Sequence, residues 1–172
     1  MGRCLRVIRV TMIAALVVAG ALAPTAAAAR PIKSPVPPAS LDFAAGDLCP
    51  FSVSIRTLET KQFAISFSND TTTTHGRFIV SVTNNDAAVT RTFDLSGAVT
   101  YDAPSPTLLR AQTTGTTLGY FPTGAFGGGE PGSLILTRGR SVEIDDFSGP
   151  DPLVQSFAVL SGSSENLCNT MA

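Results

Sequence analysis

The residues able to do chemistry are few and unevenly spread along this chain. Its single histidine, His75, lies in the run Thr71-Thr72-Thr73-Thr74-His75-Gly76, which reads as a turn. Any Ser-His-Asp triad would have to use that imidazole. No Gly-x-Ser-x-Gly elbow supplies a partner nucleophile, so a solvent-exposed turn histidine is expected. One histidine also excludes the ordinary multi-histidine zinc sites. The acids Glu143, Asp145, Asp146 and Asp151 gather around Phe147-Ser148-Gly149-Pro150. Oxygen ligands at a turn suit calcium, and Asp145, Asp146 and Asp151 are the candidate set. Their spacing does not match an EF-hand loop, and a solvated acidic loop is the simpler expectation. Paired carboxylates could also serve a glycosidase, but any two of the thirteen acids could be paired that way. No catalytic residue and no cofactor is therefore assigned.

The run from Gly124 to Gly132 reads Gly-Ala-Phe-Gly-Gly-Gly-Glu-Pro-Gly. A phosphate cradle needs a strand before it and a helix after it. Here Ser133 and a strand-like stretch follow, so a loop between strands is expected. Tyr120, Phe121 and Phe126 flank this loop and form a candidate ligand rim. Aromatic faces beside glycines could stack on a sugar ring, and the same rings could equally belong to the core. Asn69-Asp70-Thr71 meets the N-glycosylation pattern, a triplet that arises easily in threonine-rich chains.

The elements that hold these residues begin with a leader. Arg3, Arg6 and Arg9 precede the apolar run Val10 to Leu22, and Pro24 and the small residues Ala26 to Ala29 follow. Basic, apolar, then small is the order of a secretory signal peptide, assigned here to residues 1–29. Cys4 precedes the apolar run, which argues against a lipoprotein anchor, and no twin arginine is present. No later run is apolar enough for a membrane anchor. Cleavage near Ala27 to Ala29 leaves about 145 residues, the size of one domain. It removes three of the twelve basic side chains and none of the thirteen acidic ones. The acidic balance argues against nucleic acid and against docking on anionic lipid.

Residues 30–40 carry four prolines, Pro31, Pro35, Pro37 and Pro38, and read as an extended N-terminal arm. The single domain spans 41–172. Within it Phe51, Val53 and Ile55 alternate with polar residues, as do Phe63, Ile65 and Phe67, and then Phe78, Val80 and Val82. That is the period of a half-buried strand. Asn84 to Ala88 reads as a hairpin loop. Short strands are expected at Val99–Tyr101, Leu108–Thr113, Thr116–Phe121, Ser133–Thr137, Ser141–Asp145 and Gln155–Leu160, with Gly115 and Gly139 as turns. No window has helical spacing. The expected fold is all-β: an antiparallel sandwich or barrel of about ten short strands.

Cys49 and Cys168 are the two cysteines that remain after cleavage. Outside the cell they are expected to form a disulfide. Its loop of roughly 120 residues is worth about 4–5 kcal/mol in the chain-entropy picture.

The stretch Leu41 to Val53, through Phe43, Ala45, Gly46, Cys49, Phe51 and Val53, resembles the opening of small secreted β-sandwich proteins of high-GC Gram-positive bacteria. The hairpin segment Phe78 to Asn85, the segment Phe93 to Gly97 and the late Cys168 resemble them further. The resemblance implies secretion, a β fold and the disulfide. It implies no activity, because that family has no established function. The function expected is therefore a secreted, non-enzymatic binding or cell-envelope module, its partner a cell-wall glycan or an extracellular protein. The alternatives are a small extracellular hydrolase acting through carboxylates and a secreted protease inhibitor presenting the loop Gly124 to Gly132. The disulfide is tested by thiol labelling of the denatured, unreduced protein. No free thiol is expected, and two labels per chain would exclude the bond.

Overall fold

The computed structural model describes residues 30–149 and 152–172. The signal-peptide assignment and Asp151 fall outside those residues. Eleven strands follow in order: β1 Ile32–Pro35, β2 Ser40–Phe43, β3 Val53–Thr60, β4 Phe63–Ser66, β5 Thr72–His75 and β6 Phe78–Asn84. Then come β7 Val89–Asp94, β8 Ala98–Ser105, β9 Leu108–Phe121, β10 Ser133–Asp146 and β11 Leu153–Asn166. A single helical turn, α1 Leu167–Thr170, closes the chain, with Asn166 capping it through the Cys168 N–H. The strands form a seven-stranded sheet, β1-β4-β5-β8-β9-β10-β11, and a four-stranded sheet, β2-β3-β6-β7. Every pairing is antiparallel.

The alternating residues do what their period requires. Val53, Ile55, Val80, Val82, Phe93 and Leu95 turn inward from the small sheet and meet Leu134 and Leu136 of the large one. Each fully buried leucine or valine contributes about 1.5–3 kcal/mol by leaving water. Cys49 and Cys168 are bonded, with Cα atoms 5.1 Å apart. They tie the loop before β3 to the turn after β11, so the bond crosses from one sheet to the other. Arg91 on β7 reinforces that tie, donating to Glu165 on β11 at 2.7 Å. Asn84 adds a further link, donating through Nδ2 to the Met171 carbonyl at 2.7 Å. Its Oδ1 accepts from the Asp86 and Ala87 N–H groups and shapes the expected β6–β7 turn.

Three expectations are corrected. Gly115 and Gly139 are not turns: β9 and β10 each run for 14 residues straight through them, and β11 is equally long. Gly139 pairs with Gly115 on one side and Gly162 on the other, so three glycines line up across three strands. All three have positive φ, at 99°, 129° and 97° for Gly115, Gly139 and Gly162. Side chains cannot follow the backbone there, and a Cβ on Gly162 would strike the Arg138 carbonyl. Secondly, Thr72 to His75 is strand β5 rather than a turn, because Thr72, Thr73 and Thr74 pair with Tyr101, Thr100 and Val99. Thirdly, the proline-rich arm 30–40 is extended as its prolines demand, but it is built into the sandwich. Its β1 pairs with β4 from Ile32↔Ser66 to Pro35↔Phe63, at the sheet edge where proline is tolerated.

The far edge of the large sheet is β11, which carries no charge from Leu153 to Ser164. Register shifts against β10 leave Gln155 and Leu160 as extra residues, so bulges blunt this edge instead.

The aligned glycines carry a prediction. Gly162→Ala should lower stability by about 3 kcal/mol or more, through strain at positive φ and collision with backbone. Gly129→Ala, where a Cβ meets nothing within 4 Å, should shift it by no more than about 0.5 kcal/mol. Urea midpoints of the two variants decide this, and equal midpoints would refute it.

Candidate functional site

Two sheets that close tightly at one end part at the other. The disulfide, Leu134 and Leu136 fill the closed end. Beyond them the small sheet offers Leu41, Ile55, Phe78 and Val80, while the large sheet offers Val99, Leu118 and the two tyrosines. Between them lies a cleft of about 380 Å³, within the range of small-molecule sites. Its third wall is the strap Val36-Pro37-Pro38-Ala39, which crosses from β1 in the large sheet to β2 in the small one. The strap is anchored at Ala39, whose N–H and carbonyl both bond to the Thr57 hydroxyl at 3.0 Å. Thr74, Thr117 and Gln62 add polar atoms to a lining that is otherwise mostly apolar.

The chain has two tyrosines, Tyr101 and Tyr120, and both line the cleft. Tyr120 is half exposed and packs on Phe43 with ring centroids 5.9 Å apart. Burial pushes the Tyr101 phenol up from its usual range, and the carboxyls of Glu143 and Asp145 add to the effect. The register explains why they meet. Tyr101 pairs with Ala111, and Ala111 pairs with Glu143. Directly paired residues share a sheet face, so Tyr101 and Glu143 flank one small methyl. Asp145 is two residues further along the same strand and shares that face.

Glu143 and Asp145 form a carboxyl pair. Burial, followed by the neighbouring Asp145 carboxyl, pushes Glu143 up to about 7. Burial also raises Asp145. Two acids this close hold a proton between them more readily than two negative charges. Asp146 points the other way. Its carboxylate accepts the Ser148 N–H at 2.8 Å, which holds it below the usual range.

The candidate calcium set is therefore divided: Asp145 and Asp146 occupy opposite faces of β10. Among the described residues, no three acidic, histidine or cysteine side chains converge on a metal position. His75 is exposed at the end of β5, its ring 6.2 Å from that of Phe63. The candidate rim also divides. Tyr120 belongs to the cleft, but Phe121 is 2 % exposed and is a core residue. Phe121 packs on Phe126 at 5.4 Å and on Phe157 at 4.9 Å, while Phe126 stays 42 % exposed and does not line the cleft. The glycine-rich loop is held to the segment before β3, where the Thr123 N–H donates to the Asp47 carbonyl at 2.8 Å and its Oγ1 to the Gly46 carbonyl at 2.7 Å. Sequence reasoning passed over Tyr101. Its signal was a tyrosine in a short alternating strand, which says nothing of what the strand pairs with.

The carboxyl pair makes a pH prediction. Glu143 has an ordinary value of 4.5 and a folded value of about 7. Between those values the folded state holds a proton that the unfolded chain releases. Its stabilisation is complete below about pH 4.5 and is lost as pH rises through about 7. Glu143→Gln should flatten this decline by about 1–2 kcal/mol, less than the full shift implies because the group is partly solvated. Denaturation at pH 4.5 and pH 7.5 measures it, and an unchanged slope in the variant would sink the assignment. The depressed acids Asp102 and Glu165 act in a separate window, losing stability only as pH falls through their folded values.

No family model matches the chain, and neither the curated proteins nor the solved structures contain a significant match. The chemistry of the cleft is thus read from its own lining.

Proposed function

We propose that this protein is a secreted, non-enzymatic binding module that holds a small, mainly apolar molecule in the cleft between its sheets. One observation carries the reading: the cleft of about 380 Å³, lined largely by aliphatic side chains with a few polar groups at its margin. That combination is typical of small-molecule sites, where apolar walls supply affinity and sparse polar groups set orientation. Secretion is part of the proposal. It rests on the order of the first 29 residues and agrees with the Cys49–Cys168 bond. Among the described residues no helix is long and apolar enough to cross a membrane. The resemblance to small secreted proteins of high-GC Gram-positive bacteria points the same way and would place the ligand at the cell envelope or in the medium.

The two alternatives gain less support. A retaining glycosidase needs its carboxyls about 5–5.5 Å apart, and an inverting one needs more. Glu143 and Asp145 sit two residues apart on one strand, both raised by burial, and neither lines the cleft where a substrate would lie. A protease inhibitor offers an extended strand to its target. The loop Gly124 to Gly132 is instead folded on itself, with Gly127 N–H donating to the Gly124 carbonyl at 2.9 Å.

The chain has no tryptophan, so its intrinsic emission comes from the two cleft tyrosines. Adding the neutral apolar dye N-phenylnaphthylamine should raise dye emission and quench tyrosine emission together, saturating at one dye per chain. Val99→Trp fills the cleft from the large sheet and should abolish both changes with the fold intact by circular dichroism. Dye uptake unaffected by that substitution would place binding elsewhere.

A further inference from the structure

This inference rests on the cleft being a ligand site and concerns the charge and shape of what it holds. None of the residues lining the cleft carries a charge, and six of them have polar side chains. Three of the six are engaged within the protein. The Thr57 hydroxyl bonds to Ala39, Thr117 shares a hydrogen bond of 2.6 Å with Thr137, and Thr74 reaches the Val99 carbonyl at 3.5 Å. The other three, the Gln62 carboxamide and the Tyr101 and Tyr120 phenols, hydrogen-bond to no group among the described residues. Each is reachable from open space, because no side-chain polar atom among those residues is both buried and unpartnered. The three stand at opposite ends of the cleft. Gln62 lies beside Gly76, where a Cβ would come 3.0 Å from the Gln62 Cα. Tyr101 pairs with Thr72, at the other end of β5. From Gly76 to Thr72 is roughly 13 Å of strand. β2 gives the same order. The strap leading into it is held at the Gln62 end, where the Val36 N–H donates to the Gln62 carbonyl at 3.0 Å, and its last residue, Phe43, packs on Tyr120. Between the ends the walls are aliphatic, with Leu41 and its register partner Ile55 on the small sheet and Val99 and Leu118 on the large one.

We propose that the ligand is an uncharged, elongated aliphatic molecule with a hydroxyl or carbonyl oxygen at each end: Gln62 bonds one end, Tyr101 and Tyr120 bond the other, and the aliphatic walls hold the chain between. A carboxamide has both N–H donors and an acceptor oxygen, and a phenol donates and accepts, so either end satisfies a neutral oxygen. Neither end presents a counter-charge to a carboxylate or an ammonium, and a charge taken out of water without one is costly. A wholly apolar chain would suit the walls but leave the polar groups at both ends unpaired once it displaced their water.

The test is displacement of bound N-phenylnaphthylamine from the whole protein by an α,ω-alkanediol, an alcohol, an alkylamine and a fatty acid, in matched sets of increasing chain length, each below its micelle concentration. In a cleft with one polar end the second hydroxyl would weaken binding, because it gives up water and gains no partner. With two polar ends the best diol should displace the dye at about fivefold lower concentration than its matched alcohol, and the amine and the acid should be poorer than either. Gln62→Leu removes one end, and Tyr101→Phe with Tyr120→Phe removes the other; both nearly preserve side-chain volume. In each variant the diol should fall behind the alcohol, with the fold intact by circular dichroism. A diol no better than the alcohol in the unaltered protein would overturn the second polar end and leave the cleft reading standing. An amine or an acid that outdoes the alcohol would overturn the uncharged ligand. A diol advantage that survives either variant would overturn the placement of that end. A protein that takes up no dye at all would remove the ligand site itself.

Discussion

The covalent tie between Cys49 and Cys168 holds one sheet to the other. Cys49 precedes β3 in the small sheet and Cys168 follows β11 in the large one, 119 residues away in sequence. No strand is shared between the two sheets. The chain itself crosses between the sheets at the β1–β2, β3–β4, β5–β6 and β7–β8 connections, and the disulfide adds a covalent link between two points that those connections leave far apart in sequence. The bond fixes one end of the interface, and Leu48, Leu167 and Met171 bury themselves around it. With one end closed covalently, the other can remain apart. The cleft follows from this asymmetry, because two twisted sheets pinned at one end diverge toward the other.

A second constraint shapes the large sheet. Fourteen-residue strands are long for a small domain, and a flat ribbon of that length would carry half its residues away from the core. The glycines at 115, 139 and 162 let the backbone depart from the ordinary strand conformation at the same row of three neighbouring strands. Residues on either side of that row then line different surroundings. Leu134 and Leu136 enter the core before it. After it, Ser141 is buried and hydrogen-bonds to Thr113 at 2.5 Å, and Glu143 stands beside Ala111, which separates it from Tyr101.

What the sequence disclosed and what it withheld divide along a physical line. Alternation at Phe51, Val53 and Ile55, or at Phe78, Val80 and Val82, is a local property set by which face of a strand meets the core, and it was legible. So was the Asn84 turn, whose side chain bonds to residues two and three places ahead. Gly115 and Gly139 misled because glycine in a threonine-rich stretch has two local meanings, turn or departure from strand geometry. Only their partners across the sheet decide between them, and those partners lie more than 20 residues away. The cleft is hidden for the same reason. Its walls come from eight separate segments, and no single segment has an unusual composition. The acidic cluster was visible, but neighbours at 145 and 146 in a strand point to opposite faces, and which face each takes depends on the pairing of the whole strand.

The carboxyl pair shows how the fold and the site bear on each other. Two acids raised by burial cost stability at neutral pH, since the folded state must either hold a proton or bear repulsion. A sequence selected for stability alone would place a small uncharged residue at 143, as the same strand does at Ser141 and the paired strand does at Ala111. The expense is tolerable because the disulfide and the crossing pair Arg91–Glu165 supply stability at the other end of the sandwich, where no ligand need enter. A domain without that closure would lose more from the same two acids. The acid pair and the disulfide therefore bear on one balance, the first subtracting stability at neutral pH and the second supplying it.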